Sequence, residues 1–206
     1  MLNLVRDYFI TNKLQFVLPA VIIILTLHEF GHAFAAYKMG DETAKREGRL
    51  SLNPLRHIDP FGMLVLIFFK FGWGKPVPVD FFALKNLRKG MVVVSLAGPL
   101  MNFLTAIILS PLYKLMYNSL VMQAGFSYFI ELVKYIILYS IYLGIFNLIP
   151  IPPLDGSKVL FAASKRPQRF LFDESINWYG MIFLIILISP FFNFGNLLSF
   201  IVNTIL

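Results

Sequence analysis

Cysteine is absent from this sequence of 206 residues. Disulfide bonds and thiolate metal ligands are therefore excluded. Charged side chains are also scarce, at 14% of the residues against about 25% in an average soluble domain, whereas 58% of the residues are hydrophobic. A chain with so little charge and such long apolar runs is predicted to have the lipid bilayer as its solvent.

Acidic residues are fewer than basic ones, and the formal net charge is +7. Fourteen of the 18 lysine and arginine residues fall in two segments between apolar runs, Lys38–Lys89 and Lys158–Arg169. Basic residues concentrated in this way follow the positive-inside rule, so both segments are predicted to face the cytoplasm. Nucleic acid is not a predicted partner, because the basic residues are not interleaved with aromatic ones in a soluble fold.

The apolar runs predict four membrane spans and one shorter segment. The long runs cover residues 16–39, 91–117, 127–149 and 176–206, and the last is either one kinked span or two half-length pieces. Residues 61–71 are too few to cross the roughly 30 Å hydrocarbon core as a helix, and basic residues flank them on both sides. This predicts a re-entrant or partly inserted segment. Residues 1–206 are therefore expected to form one all-α, polytopic membrane domain with four to six membrane segments.

The first apolar run contains the sequence His28-Glu29-Phe30-Gly31-His32. On a helix, residues four positions apart share one face, so both imidazoles can bind one ion. Zinc takes nitrogen and oxygen ligands in a tetrahedron and leaves a position for water, and Glu29 lies where it can accept a proton from that water. A chance pentapeptide and a polar core cluster without metal are two other interpretations. Both are disfavoured, because an ionisable side chain within a span costs about 2–3 kcal/mol unless it has a partner.

A catalytic zinc ion usually has three protein ligands, so the two histidines need a third. The candidates in the polar segments are Asp41, His57, Asp59, Asp80 and Asp155. Asp155 is preferred because it follows a proline-rich break at the end of an apolar run, where a carboxylate can turn towards the first span. Its alternative role is to cap the following helix. Asp59 belongs to an ordinary Asp-Pro turn, and His57 is expected to lie in a loop.

Three motifs together resemble the site-2 protease family, which consists of M50-type intramembrane zinc metalloproteases. They are His28–His32, the segment Ala97-Gly98-Pro99-x-x-Asn102, and Asn147–Gly156, which reads N-x-x-P-x-P-x-x-D-G. The stretches RLSLNPLRHIDP (Arg49–Pro60) and GWGKPVPV (Gly72–Val79) also resemble that family. The resemblance extends from Leu14 to Lys158.

The resemblance implies one zinc ion per chain, bound by His28, His32 and Asp155, with Glu29 as the general base acting on zinc-activated water. It implies that Asn147 positions the substrate backbone or the developing oxyanion. It also implies a small membrane-associated β element after the first span, which could pair with an unwound substrate.

Other parts of the family pattern carry no predicted chemistry. Asn102 and the Gly98-Pro99 pair are assigned only to close helix packing. The chain is expected to be a compact form of the family, without a PDZ insertion and without a C-terminal CBS domain. The final run, residues 176–206, matches no part of the family pattern that can be assigned.

The sequence thus predicts an intramembrane zinc metalloprotease that hydrolyses peptide bonds within or near transmembrane segments of membrane-protein substrates. Its expected partners are the lipid bilayer and a transmembrane protein or peptide substrate. Its expected location is the plasma membrane of a prokaryote, with the active site towards the cytoplasmic side. One competing interpretation is a metal-ion transporter, which should show internal repeats and paired broken helices. The other is a catalytically inactive membrane scaffold, against which the intact Glu29 argues.

Overall fold

The computed structural model describes residues 11, 13–69, 72–120, 127–167 and 174–188. Within these ranges the regular secondary structure is helical and no β-strand is present, so the all-α prediction is confirmed for this part of the chain. The elements are α1 (Leu14–Met39), α2 (Thr43–Arg46), a 3₁₀ turn (Pro54–Arg56), α3 (Pro60–Phe69), α4 (Leu87–Leu120), α5 (Ser127–Asn147), α6 (Asp155–Ala162) and α7 (Glu174–Ile188).

Three helices are long and apolar enough to cross a membrane, namely Leu14–Met39, Leu87–Asn118 and Ser127–Asn147. They coincide with the first three predicted spans, and their ends differ from the predicted ones by at most four residues. The fourth predicted span is described only as α7, whose 15 residues are fewer than the roughly 20 that a spanning helix needs. The remainder of residues 176–206 lies outside the described residues. The total of four to six membrane segments therefore stays a prediction.

The short apolar run forms α3, a helix of 10 residues. The Asp59 carboxylate caps it by accepting hydrogen bonds from the backbone N–H groups of Phe61 and Gly62, at 2.8 and 2.9 Å. At about 1.5 Å per residue, α3 covers only half of the hydrocarbon core. This length fits partial insertion, which stays a prediction, and residues 70 and 71 of the predicted segment lie outside the described residues.

The β element predicted after the first span is not a strand in the described ranges. Residues 49–53 form an irregular bend, and residues 72–80, here named the extended segment, have no regular secondary structure. Backbone groups of the extended segment bond instead to three side chains, those of Glu29, Asp41 and Arg49. These four backbone groups therefore bond to side chains and not to a second strand, and the predicted β element is not confirmed in the described ranges.

Helices α1, α4 and α5 pack against one another and form the core. Ile24 of α1 packs with Ile136 of α5, and Ala36 of α1 packs with Val94 of α4. A Cβ on Gly31 would lie only 2.7 Å from a backbone oxygen of α4, so the two helices approach closely at this point. The close approach places the histidine motif of α1 directly against α4.

Candidate metal centre

The two histidines of the motif lie one turn apart on α1. His28 and His32 are both buried, with 4% and 8% of their surface exposed. Their rings meet edge to face with centroids 4.6 Å apart, and their Nε2 atoms are 3.0 Å apart. The helical spacing therefore directs two nitrogen donors to one place.

Asp155 reaches the histidines because the chain turns sharply after α5. This helix ends at Asn147, and the turns that follow contain three prolines, which cannot continue a helix. Gly156 lets α6 begin against this turn, since a Cβ there would overlap the backbone carbonyl of Leu148. The N-cap of α6 is Leu154, so Asp155 is the first helical residue and not the cap.

Three donor atoms converge on one point. Oδ2 of Asp155 lies 3.2 Å from Nε2 of His28 and 3.0 Å from Nε2 of His32. Ligands bound tetrahedrally to zinc at about 2.0–2.2 Å are about 3.3–3.6 Å apart, so the observed spacing is close to that of a zinc site. Within the described ranges, this is the one group of three His, Cys, Asp or Glu residues that could hold a metal ion.

The protons on the imidazoles also favour a cation between these atoms. Nδ1 of His32 lies 2.7 Å from the backbone oxygen of Val94, and a carbonyl only accepts, so Nδ1 carries the proton. In the neutral ring Nε2 then carries a lone pair, which faces the Asp155 carboxylate. The Oδ2 atom of that carboxylate has no hydrogen-bond donor in the described part of the chain. A metal ion at this point would bind both the lone pair of His32 and the Oδ2 atom of Asp155. The residues present therefore fit a bound metal.

The second oxygen of Asp155 is held by Lys158, whose Nζ donates to Oδ1 at 2.9 Å. Burial acts to raise the pKa of Asp155, but the imidazole of His32 and the ammonium group of Lys158 outweigh it and hold the pKa well below its usual range. The carboxylate is therefore charged, with one oxygen fixed by Lys158 and the other turned towards the histidines.

Glu29 is adjacent to His28 on α1 and is partly buried. Its Oε2 accepts a hydrogen bond of 2.7 Å from the backbone N–H of Val77 in the extended segment. This bond holds the carboxylate of Glu29 and connects it to a loop 48 positions further along the chain.

The other candidates for a third ligand have different partners. Asp41, Asp59 and Asp80 each accept hydrogen bonds from backbone N–H groups away from the histidines. His57 is buried in a loop, and its Nε2 donates to the backbone oxygen of Ser51 at 2.7 Å. The structure brings none of these four side chains into the group formed by the histidines and Asp155, within the ranges it describes.

Asn147 is the last residue of α5. Its amide nitrogen donates to the backbone oxygen of Leu143, one turn earlier, at 3.0 Å. The contact lies within α5, so the role of Asn147 towards a substrate stays a prediction.

One polar contact of the centre was missed in the sequence. Asn102 of α4 is fully buried, and its Nδ2 lies 3.0 Å from Nδ1 of His28. Gly98, one turn earlier on α4, also lies against the histidines. The sequence did contain a signal for this contact, namely an asparagine in the middle of an apolar span. A buried amide within a bilayer needs a hydrogen-bond partner.

Comparison with known proteins assigns the chain to a family. The model of "Peptidase family M50" matches residues 114–190, a range that includes Asp155 but not the histidine pair. A Bacillus subtilis (strain 168) protein described as "Putative zinc metalloprotease YwhC" is 36% identical over 185 residues, which are 89% of this chain and 84% of that protein. The chain belongs to peptidase family M50.

Two mycobacterial proteins described as "Putative zinc metalloprotease Rip2" are also similar to this M50 chain. The one from Mycolicibacterium smegmatis (strain ATCC 700084 / mc(2)155) is 28% identical over 207 residues, 91% of this chain and 76% of that protein. The one from Mycobacterium tuberculosis (strain ATCC 25618 / H37Rv) is 31% identical over 188 residues, which are 86% of this chain and 68% of that protein. No solved structure matches.

Family membership and the three converging donor atoms together make the chain a zinc metalloendopeptidase. Its three long apolar helices make it an integral membrane protein.

Proposed function

We propose that this M50 peptidase cleaves membrane-protein substrates within or close to their transmembrane segments. In this proposal His28, His32 and Asp155 hold the zinc ion and Glu29 is the general base. The observation that carries the proposal is the convergence of three donor atoms at a helix apolar enough to span the membrane, with a carboxylate next to them.

The mechanism assigns proton transfer to Glu29. Bound zinc supplies Lewis-acid polarisation of the scissile carbonyl and lowers the pKa of a water molecule. Glu29 accepts the proton of the attacking water and passes it to the leaving amine, and the hydrogen bond from Val77 keeps its carboxylate in place. Asn147 turns its amide away from Leu143 and donates to the oxyanion, a contact worth about 3–4 kcal/mol in other hydrolases.

The extended segment is the proposed binding site for the substrate backbone. A transmembrane substrate must unwind before it is cut, because its peptide groups are hydrogen-bonded within its own helix. An unwound strand that pairs with the extended segment gains backbone hydrogen bonds in their place. Because Val77 of this segment contacts Glu29, such a strand would lie beside the general base.

The proposed orientation places the metal centre towards the cytoplasmic side of a prokaryotic plasma membrane. The histidines lie in the second half of α1, which leads into the basic segment Lys38–Lys89. Asp155 begins α6, which leads into the basic segment Lys158–Arg169. The positive-inside rule favours the cytoplasm for both segments.

The test of the mechanism is Glu29→Gln. This variant keeps the size of the side chain but cannot accept the proton, so cleavage of a model transmembrane peptide should fall by about 100-fold or more. Zinc content, measured by elemental analysis of the protein in detergent, should remain near that of the wild type. Cleavage at the wild-type rate would remove Glu29 from the mechanism.

The test of the ligand set is Asp155→Ala, with Asp80→Ala as a matched control in a loop outside the metal centre. Removal of the only carboxylate that faces the histidines in the described structure should lower the zinc content, whereas the control should retain it. Equal zinc content in the two variants would contradict the proposed ligand set.

A further inference from the structure

Helix α4 contributes two buried positions to the metal centre that have no part in the mechanism given above. Gly98 and Asn102 are four residues apart and therefore lie on one face of α4. This face packs against the histidine pair of α1.

Gly98 leaves space in front of the two nitrogens that face the metal position. A Cβ on Gly98 would overlap Nε2 of His32 and would lie 2.7 Å from Nε2 of His28. Helix propensity favours alanine over glycine by about 1 kcal/mol in a helix interior. Gly98 has no positive φ that would require glycine. The missing side chain is therefore explained by the imidazole nitrogens packed against Gly98 and not by the backbone.

Asn102 contacts the other nitrogen of the His28 ring. Its Nδ2 lies 3.0 Å from Nδ1, an arrangement in which the amide donates and Nδ1 accepts. A neutral ring then carries its proton on Nε2, the atom that faces Asp155. Metal binding requires the reverse, with a lone pair on Nε2 and the proton on Nδ1.

The amide of Asn102 can match either state of the ring. Its Oδ1 is buried and has no hydrogen-bond partner among the residues that the structure describes. Rotation of the amide by half a turn would place Oδ1 opposite Nδ1 of His28, where it accepts the N–H bond that the metal-bound ring donates. The corresponding contact of His32 is made by the backbone oxygen of Val94, which only accepts.

We propose that Gly98 and Asn102 are positioning residues of the metal centre. Gly98 leaves room on the side of the imidazoles where the ion would bind. Asn102, with its Oδ1 turned to Nδ1 of His28, holds that ring in the tautomer that presents a lone pair on Nε2 to the ion. Together with Val94, one face of α4 thus orients both histidines. The inference rests on the ligand set of the proposed function.

The test for Asn102 measures zinc affinity by competition with a chromogenic chelator, using the full chain in detergent that elutes as the wild type does. Asn102→Leu has a similar size and no hydrogen bond to His28, so the zinc Kd should rise by about 10–100-fold. Asn102→Asp keeps an acceptor for the Nδ1–H group and should recover most of the affinity. The control is Thr105→Val, because the hydroxyl of Thr105 donates within α4, to the backbone oxygen of Met101, and its loss should leave the affinity unchanged.

The test for Gly98 compares Gly98→Ala with Gly144→Ala. A Cβ on Gly144 would lie 2.9 Å from the ring of Phe103 in the contact between α4 and α5, so this control disturbs helix packing away from the histidines. Gly98→Ala should lose zinc and the visible absorption of the cobalt-substituted protein. Gly144→Ala should lower the thermal midpoint and still bind the metal.

His28→Ala separates failure of the inference from failure of the ligand set. Wild-type zinc affinity in His28→Ala would overturn both. Loss of zinc in His28→Ala, together with equal affinities for Asn102→Leu and Thr105→Val, would leave the ligand set intact and overturn the role of Asn102. A Gly98→Ala protein that binds zinc as tightly as Gly144→Ala would overturn the role of Gly98.

Discussion

The carboxylate of Asp155 divides its oxygens between two neighbours, with Oδ1 bonded to Lys158 and Oδ2 turned towards the histidines. An oxygen that is already bonded to an ammonium group is less available to a metal ion, so this arrangement favours binding through Oδ2 alone. Partners that hold a ligand in this way change metal affinity by about 10–100-fold when they are removed.

Lys158→Met should therefore raise the zinc Kd by about tenfold, because it removes the bond that orients Asp155. Lys158→Arg, which keeps a positive charge and an N–H donor, serves as the matched control. Chelator competition measures both values. Equal affinities in the two variants would show that Lys158 does not orient the ligand.

Single residues differed in how well they could be predicted from the sequence. The histidine pair was predictable because a spacing of four residues is local helical geometry. Asp155 could be favoured only through its proline-rich context, since nothing near it in the sequence specifies which loop returns to α1. Asn102 was assigned to packing because its partner, His28, is 74 positions away.

At the scale of elements, the extended segment depends on a buried arginine. Arg49 is 6% exposed, and its guanidinium group donates to the backbone oxygens of Lys75 and Pro76, at 2.8 and 3.1 Å. The next residue, Val77, donates to Glu29. The position of Glu29, the proposed general base, is thus coupled to Arg49 through two adjacent parts of the loop.

Arg49→Met should leave two loop carbonyl groups without a donor, which costs about 1–3 kcal/mol. We expect a lower thermal midpoint and cleavage slowed by about tenfold, since each 1.4 kcal/mol in the barrier is a factor of ten. Zinc content should be unchanged, because Arg49 does not contact the ligands. Arg56→Met, at an exposed arginine of the same loop region, is the control. Wild-type cleavage by Arg49→Met would show that the loop does not position Glu29.

Helices were easier to predict than the loop between them. The end of the third span was predicted at residue 149, and the helix ends at Asn147. The prediction came within two residues because the prolines that follow end a helix through local geometry alone. The β element is not confirmed in the described ranges, where backbone groups of the extended segment bond to side chains supplied by α1 and by the loop that follows it. Such long-range partners leave no periodic signal in the sequence.

At the scale of the whole molecule, the predicted membrane topology rests on three apolar helices and two basic segments. The number of spans up to Asn147 was predictable from hydropathy, since each run is long enough to cross the bilayer. The orientation stays a prediction from charge alone.

The absence of cysteine makes this orientation testable by labelling, because the unmodified chain offers no thiol. Glu47→Cys and Lys165→Cys, at exposed positions within the two basic segments, should react with a membrane-impermeant maleimide only from the cytoplasmic side. Asn118→Cys, exposed near the far end of α4, should react only from the opposite side. Labelling of Glu47→Cys and Asn118→Cys from one side would contradict the topology.

The distance along the chain between the donor atoms has a consequence for biosynthesis. His32 and Asp155 are separated by 123 positions, with α4 and α5 between them. At about 5–20 residues per second, a ribosome needs roughly 6–25 s to proceed from one to the other. The helix that carries the imidazoles is synthesised first, α4 can then pack against it, and the carboxylate of Asp155 is synthesised last. The complete set of three donor residues is thus available to a metal ion only at a late stage of synthesis. A nascent chain arrested before α6 lacks Asp155 and therefore has no complete metal centre.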